Sequence, residues 1–152
     1  MVYMHHEDKL MTTREYIPEA PCLCINLRRV AQKVTDFYDK ALKPAGVSVN
    51  QYSLLVNISR MEGCGTGELA QQVRLEKSTL VRTLRPLLRA GLIDDRSSGE
   101  SRRRKLYISP HGEEVLKKAF PLWENAQKDV AAALGENYNS LADIFEQISL
   151  LL

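Results

Sequence analysis

The sequence predicts a mainly α-helical fold carrying one small β-hairpin, and three observations predict it. Apolar residues recur at three- and four-residue spacing over most of the chain after residue 22, and glycine and proline fall between those periodic stretches. Only residues 92–108 read differently, as two short apolar limbs around a turn of Ser97, Ser98, Gly99 and Ser101.

Leu23 to Leu42 reads as a long first helix, with Leu23, Leu27, Val30, Val34, Phe37 and Ala41 on one side and Pro44 and Gly46 ending it. Asn50 to Met61 is a shorter helix with Leu54, Leu55 and Ile58 inward. Gly63, Gly65 and Gly67 then mark a loop, in which Cys64 is expected to have no role. A third, short helix is read over Thr66–Val73 and a fourth over Glu76–Ala90, stopping at Gly91, the residue type favoured just past a helix end. Pro86 inside the fourth helix removes a hydrogen bond back toward Arg82 and is expected to bend it. The limbs of the hairpin are Leu92–Asp95 and Lys105–Ile108. Glu113–Leu134 returns to helix, with Leu116, Phe120, Trp123, Val130 and Leu134 on one face and Pro121 inside. Leu141, Ile144, Phe145, Ile148, Leu151 and Leu152 form a last apolar stripe. A stripe so apolar needs a partner surface; packing on the chain's own first helix is one option, and pairing of the terminal helices of two copies is the preferred one.

With 152 residues and 44% apolar content the chain is long and apolar enough for one core, which excludes disordered and collagen-like readings. No uncharged apolar run reaches the roughly 18 residues of a membrane helix, and residues 1–10 do not resemble a signal peptide, so a cytoplasmic protein with no membrane partner is expected. Three cysteines do not make a secreted disulfide framework. The net charge of +2 is small, but residues 60–110 hold eleven Lys/Arg against six acids, while the remainder holds ten against thirteen. Charge alone leaves a solvated basic face open.

The fourth helix narrows that choice. Leu80, Leu84 and Leu87 form a stripe to be buried, and Ser78, Arg82, Arg85 and Arg89 repeat the same spacing two residues out of phase, about 200° around the helix. That outward face has three arginines and no acid, and arginine is the side chain whose fork fits phosphate oxygens and guanine edges. The hairpin adds Arg102, Arg103, Arg104 and Lys105, four consecutive cations that strand alternation cannot all bury. A helix-turn-helix followed by a basic hairpin is a winged helix-turn-helix, a fold that reads double-stranded DNA. We therefore expect a single domain over 1–152, with an N-terminal arm at 1–20, dimerisation helices at 22–45 and 112–152, and the winged module at 48–110. A symmetric homodimer would also set two reading helices about one DNA turn apart.

Gly67-Glu68-Leu69-Ala70, Ser78-Thr79-Leu80-Val81-Arg82 and Leu87-Leu88-Arg89-Ala90-Gly91-Leu92-Ile93 resemble the helix-turn-helix core of the MarR (multiple antibiotic resistance regulator) transcription factors. Arg102-Arg103 leading into Leu106, Ile108, Ser109 and Gly112 resembles that family's wing, and the resemblance covers about residues 22–150. Two departures are Ser101, where the family usually has Asp before the wing arginines, and Glu76, where it often has Asp, a better helix cap. The resemblance implies an obligate homodimer straddling a pseudo-palindromic operator, acting as a repressor relieved by a signal. It implies a DNA-binding set of Lys77, Ser78, Thr79, Arg82, Arg85, Arg89, Arg102 and Arg103. Within that set Ser78, Thr79 and Arg82 face base edges, Arg85 and Arg89 face phosphates, and Arg102 or Arg103 enters the minor groove.

Two signals stay open. Cys22 and Cys24 stand at the start of the first helix, where unpaired N–H groups and the dipole favour a thiolate. One branch of the family senses organic hydroperoxides or hypochlorite there; counted from Gln51-Tyr52, Cys24 falls on its sensing position and Tyr38 on its partner tyrosine, while Arg28 replaces a second tyrosine. Simple packing of the cysteines is the alternative. The resemblance equally implies a pocket for a small aromatic effector, lined by Tyr38, Tyr52 and Trp123, whose alternative is core packing. Catalysis is not expected, since His111 has no serine, acid or phosphate-loop companions, and no cofactor or metal is required. Cys22, Cys24, His5 and His6 keep a metal-responsive regulator open as an alternative, without standard zinc spacing, as does a module that binds no DNA and only docks a partner.

Overall fold

A computed structural model describes residues 22–97 and 104–151. The N-terminal arm at 1–20, with His5 and His6, lies outside the described residues, as do the wing tip with Ser98, Gly99, Ser101, Arg102 and Arg103, and Leu152. The order is α1 (Leu23–Leu42), a 3-10 turn (Lys43–Ala45), α2 (Val49–Met61), α3 (Thr66–Gln72), α4 (Lys77–Arg89), β1 (Ile93–Asp95), β2 (Leu106–Ile108), α5 (Pro110–Leu134) and α6 (Asn137–Ser149). This is the mainly α-helical winged arrangement expected from the sequence. Among the described residues no helix is long and apolar enough to cross a membrane. The chain divides into two compact units, one ending at Val34 and the other beginning at Thr35. The first contributes the opening turns of α1, whose Leu23, Ile25, Leu27, Val30 and Val34 are exposed.

Within the second unit each element starts where its sequence supplies a cap. Ser48 and Gln51 form a reciprocal capping box on α2, and Asp39 accepts the Val49 N–H at 2.7 Å, so three of the free donors at that helix start are satisfied. At α3 the Glu68 carboxylate reaches back to the Gly65 N–H at 2.8 Å. Leu54, Leu55 and Ile58 of α2, Leu69 of α3, and Leu80, Leu84 and Leu87 of α4 then fill one core with Leu42, Ile93, Leu106 and Ala119. Nine of its large side chains are essentially without solvent contact. At about 25 cal/mol per Å² of apolar surface removed from water, this core is the principal favourable contribution to folding.

The hairpin pairs Ile93 with Ile108, Asp94 with Tyr107, and Asp95 with Leu106, antiparallel. Cys64, expected to be incidental, bridges to Leu106 and is 3% exposed, a core residue at the edge of the sheet. The pairing of the glycine loop with residues about forty positions later brings it there, and burial, reinforced by the charge of Glu68, raises its thiol pKa against a smaller lowering by its own backbone hydrogen bond. Ser109 joins the hairpin to α5. Its hydroxyl donates to the Gly91 carbonyl and accepts the Gly112 N–H at 2.9 Å, while its own N–H donates to the Leu92 carbonyl at 3.1 Å. Replacing Ser109 with alanine leaves the buried Gly112 N–H unpaired and removes the hydroxyl donor of the Gly91 carbonyl, and a loss of about 1–3 kcal/mol in unfolding free energy is expected from urea titration.

Candidate nucleic-acid interface

The burial of Leu80, Leu84 and Leu87 fixes the rotation of α4. Ser78, Arg82, Arg85 and Arg89 consequently stand exposed on its opposite side, with Lys77 exposed in the first turn and Thr79 half-buried at the margin. Among the described residues none of Lys77, Arg82, Arg85 and Arg89 is in an ion pair, whereas Arg96 and Arg104 are paired with Asp94 and Asp95. Unpaired guanidinium groups on a helix face retain their full hydration and charge for an incoming polyanion. Arg102 and Arg103, the other expected DNA contacts, lie outside the described residues.

The ends of α3 and α4 show how the sequence shapes this face. α4 ends in Gly91 at φ 65, with Gly91 N–H bonded to Leu88 and Leu92 N–H to Leu87, the double bond that closes a left-handed helix end. α3 ends in the same pattern, Arg74 N–H to Gln71 and Leu75 N–H to Ala70, but Arg74 occupies the left-handed position at φ 52. α4 begins at Glu76, which makes no side-chain capping bond. The turn ahead of the reading helix thus combines a strained residue with an uncapped start.

Below α4 a cavity of about 630 Å³ is lined by Thr66, Glu68, Lys77, Val81, Arg104 and Lys105, together with glycines of the α2–α3 loop. Arg104 and Lys105, outside the expected DNA-binding set, are brought beside Lys77 at the start of α4 by the hairpin register. Arg104 lies 3.3 Å from Asp95, a cross-strand pair at the root of the wing. A second, smaller cavity of about 210 Å³ lies beside Thr79 and Thr83, between α4 and the start of α2.

Of the residues expected to receive a signal, Cys22 and Cys24 belong to the first unit and Tyr38, Tyr52 and Trp123 to the second. Cys22, just before α1, and Cys24, in its first turn, are exposed, and the Cys22 carbonyl accepts the Asn26 N–H at 3.0 Å. Tyr38 is buried, and its hydroxyl donates to the Gln127 side-chain oxygen of α5. Burial foremost, and then Tyr138, raises the Tyr38 pKa. Tyr52 packs on Trp123 with ring centroids 5.8 Å apart, and burial raises its phenol pKa against a smaller lowering by Arg60. His111 sits on the surface 3.9 Å from Glu114, and among the described residues no three metal-ligating side chains cluster.

The sequence model of the MarR family matches residues 47–105, the segment from the start of α2 to the second wing limb. The transcriptional regulator MosR of M. tuberculosis, solved in complex with DNA, is 32% identical, with a TM-score of 0.74, covering 84% of this chain and 93% of that one. The S. aureus MepR–DNA complex shares the fold at 16% identity and a TM-score of 0.73, covering 86% of this chain and 98% of that chain. The HTH-type transcriptional regulator BilQ of Clostridioides difficile (strain CD3) is 28% identical over 93 residues, 59% of this chain, and the match spans 63% of that relative's length.

Two measurements check the local geometry. Arg74→Gly should raise the unfolding free energy by roughly 0.5–1 kcal/mol, the strain relieved at a left-handed residue less the entropy glycine loses on folding. Alkylation of the native protein at neutral pH, followed by mass spectrometry, should label Cys22 and Cys24 and spare Cys64 until denaturant is added, because a buried thiol of raised pKa supplies little thiolate.

Proposed function

This chain belongs to the MarR family of winged-helix transcriptional regulators, and from that premise we propose that it is a cytoplasmic homodimer that binds a pseudo-palindromic operator and represses transcription until a chemical signal releases it. The observation that carries the reading is the acid-free arginine face of α4, held outward by the buried leucines behind it. The DNA seen in the MosR complex supports the same use of the same fold. In this reading α4 enters the major groove, where Ser78, Thr79 and Arg82 meet base edges. Lys77, Arg85 and Arg89 meet phosphates, and Arg102 or Arg103 enters the adjacent minor groove. The exposed apolar residues of the terminal helices, Leu23, Val30 and Phe37 in α1 and Ile144, Phe145 and the following Leu150 and Leu151, support pairing of two copies. Such a dimer sets its reading helices about 34–36 Å apart.

The exposure of Cys24 favours oxidation as the signal over a ligand at Tyr38, Tyr52 and Trp123, which are packed among their neighbours. The Cys24 thiolate attacks the outer oxygen of an organic hydroperoxide, the O–O bond breaks, and the alkoxide takes a proton to leave as an alcohol. Cys24 is left as a sulfenic acid, oxidised by two electrons. A small thiol then condenses with it, forming a mixed disulfide and releasing water. Tyr38 and Cys22 are the residues proposed to modulate this step.

The experiment is a titration of the reduced protein on a duplex from its own upstream region, repeated after stoichiometric cumene hydroperoxide. Wild type should bind and be released by oxidant, Cys24→Ser should stay bound, and Arg82→Ala and Arg103→Ala should each weaken binding by about tenfold to a hundredfold at fixed salt. Unchanged binding in both arginine variants would sink the DNA-contact assignment. Release of Cys24→Ser by oxidant would move the signal away from that thiol.

A further inference from the structure

We propose that Tyr107 is a positioning residue for DNA binding, the side chain that locks the root of the wing to the end of α2 and thereby sets where Arg104 and Lys105 stand relative to α4. The inference rests on the DNA-binding reading above. Tyr107 is half-buried in β2, opposite Asp94 of β1. The Arg96 guanidinium lies over its ring, 4.6 Å from the centroid, and is also 3.5 Å from Asp94. Arg96 is therefore held on the wing itself, by a ring face below and a carboxylate beside it.

The other end of the tyrosine reaches the α2–α3 loop. A Cβ on Gly63 would stand 2.5 Å from the Tyr107 hydroxyl oxygen, and Gly63 has φ +80, so both its backbone and its missing side chain suit this contact. Two hydrogen bonds close the same junction, Gly63 N–H to the Leu106 carbonyl at 3.0 Å and Leu106 N–H to the Cys64 carbonyl at 2.9 Å. Glu62, the residue before, is held at φ 25 and ψ 97, which a residue with a side chain seldom adopts. Strain of this kind persists only where surrounding contacts impose it, and here the clasp onto the hairpin imposes it.

The cations follow from the register. Arg96 N–H donates to the Lys105 carbonyl at 2.8 Å, and Arg104 pairs with Asp95. Both basic side chains line the cavity that Lys77 enters from the first turn of α4. Tyr107 need not touch DNA; it acts by fixing the limb that carries these charges.

The test uses the full-length protein and a duplex that the wild type selects from a random pool. Tyr107→Phe, which keeps the ring, should bind within about twofold of wild type. Tyr107→Leu and Arg96→Gln should each bind about threefold to tenfold more weakly, and the double variant no more weakly than the worse single one. Tyr107→Leu should also flatten the salt dependence of affinity although it removes no charge, which a purely structural loss would not do. Unchanged affinity and salt slope in Tyr107→Leu, or additive losses in the double variant, overturn the proposal. Should Tyr107→Leu fail to fold, Arg96→Lys decides: weakened binding supports the stacked guanidinium, and full binding shows that only its charge matters and overturns it. Failure of the wild type to select any duplex overturns the DNA-binding reading and this inference with it, whereas selection followed by indifferent variants overturns this inference alone.

Discussion

The complete burial of Leu80, Leu84 and Leu87 is the constraint on which the functional surface depends. A helix of thirteen residues has little freedom once one side is committed, because residues two positions away point to the opposite side. Rotating α4 to hide its arginines would bring three leucines into water, at roughly 2 kcal/mol each. The arginine face is thus paid for by the hydrophobic core rather than by any contact of its own. Its lack of acidic partners among the described residues then leaves charge available that a self-neutralised helix would not have.

The wing is built on a different economy. A two-stranded hairpin of three-residue strands has little stability alone. Here it is supported from three sides: Ile93 and Leu106 enter the common core, Ser109 ties it to the start of α5, and the loop carrying Cys64 pairs with its second strand. The ion pairs at its root are exposed and contribute little to stability, but they order the charges relative to one another. Placing a charge and stabilising a fold are separate tasks, and the wing assigns them to different residues.

What the sequence displayed was whatever repeats within a few residues. The 3.6-residue period exposed the helices, Gly91 their punctuation, and the two-residue offset of Arg82, Arg85 and Arg89 from the leucines their outward face. Contacts between distant positions left no such trace. Cys64 looked idle among glycines because its partner, Leu106, lies across two helices and the hairpin turn. The stacking of Arg96 on Tyr107 depends on strand register, which three-residue strands scarcely specify by alternation. Arg74 showed nothing at all of its left-handed backbone, because the usual marker of that conformation is a glycine. That Cys22 and Cys24 are exposed and Cys64 is buried likewise required coordinates, since position along the chain suggests chemistry but not burial.

The pairing of Cys64 with Leu106 also bears on how copies of this protein meet. β2 has β1 along one side and the Cys64 segment along the other, so its backbone amides offer little template for a foreign strand. The remaining long side belongs to β1, a strand of only three residues whose Asp94 and Asp95 are paired with Arg96 and Arg104. Short, charged edges of this kind resist extension into intermolecular sheet. Self-association through the hairpin is thereby discouraged in a crowded cell.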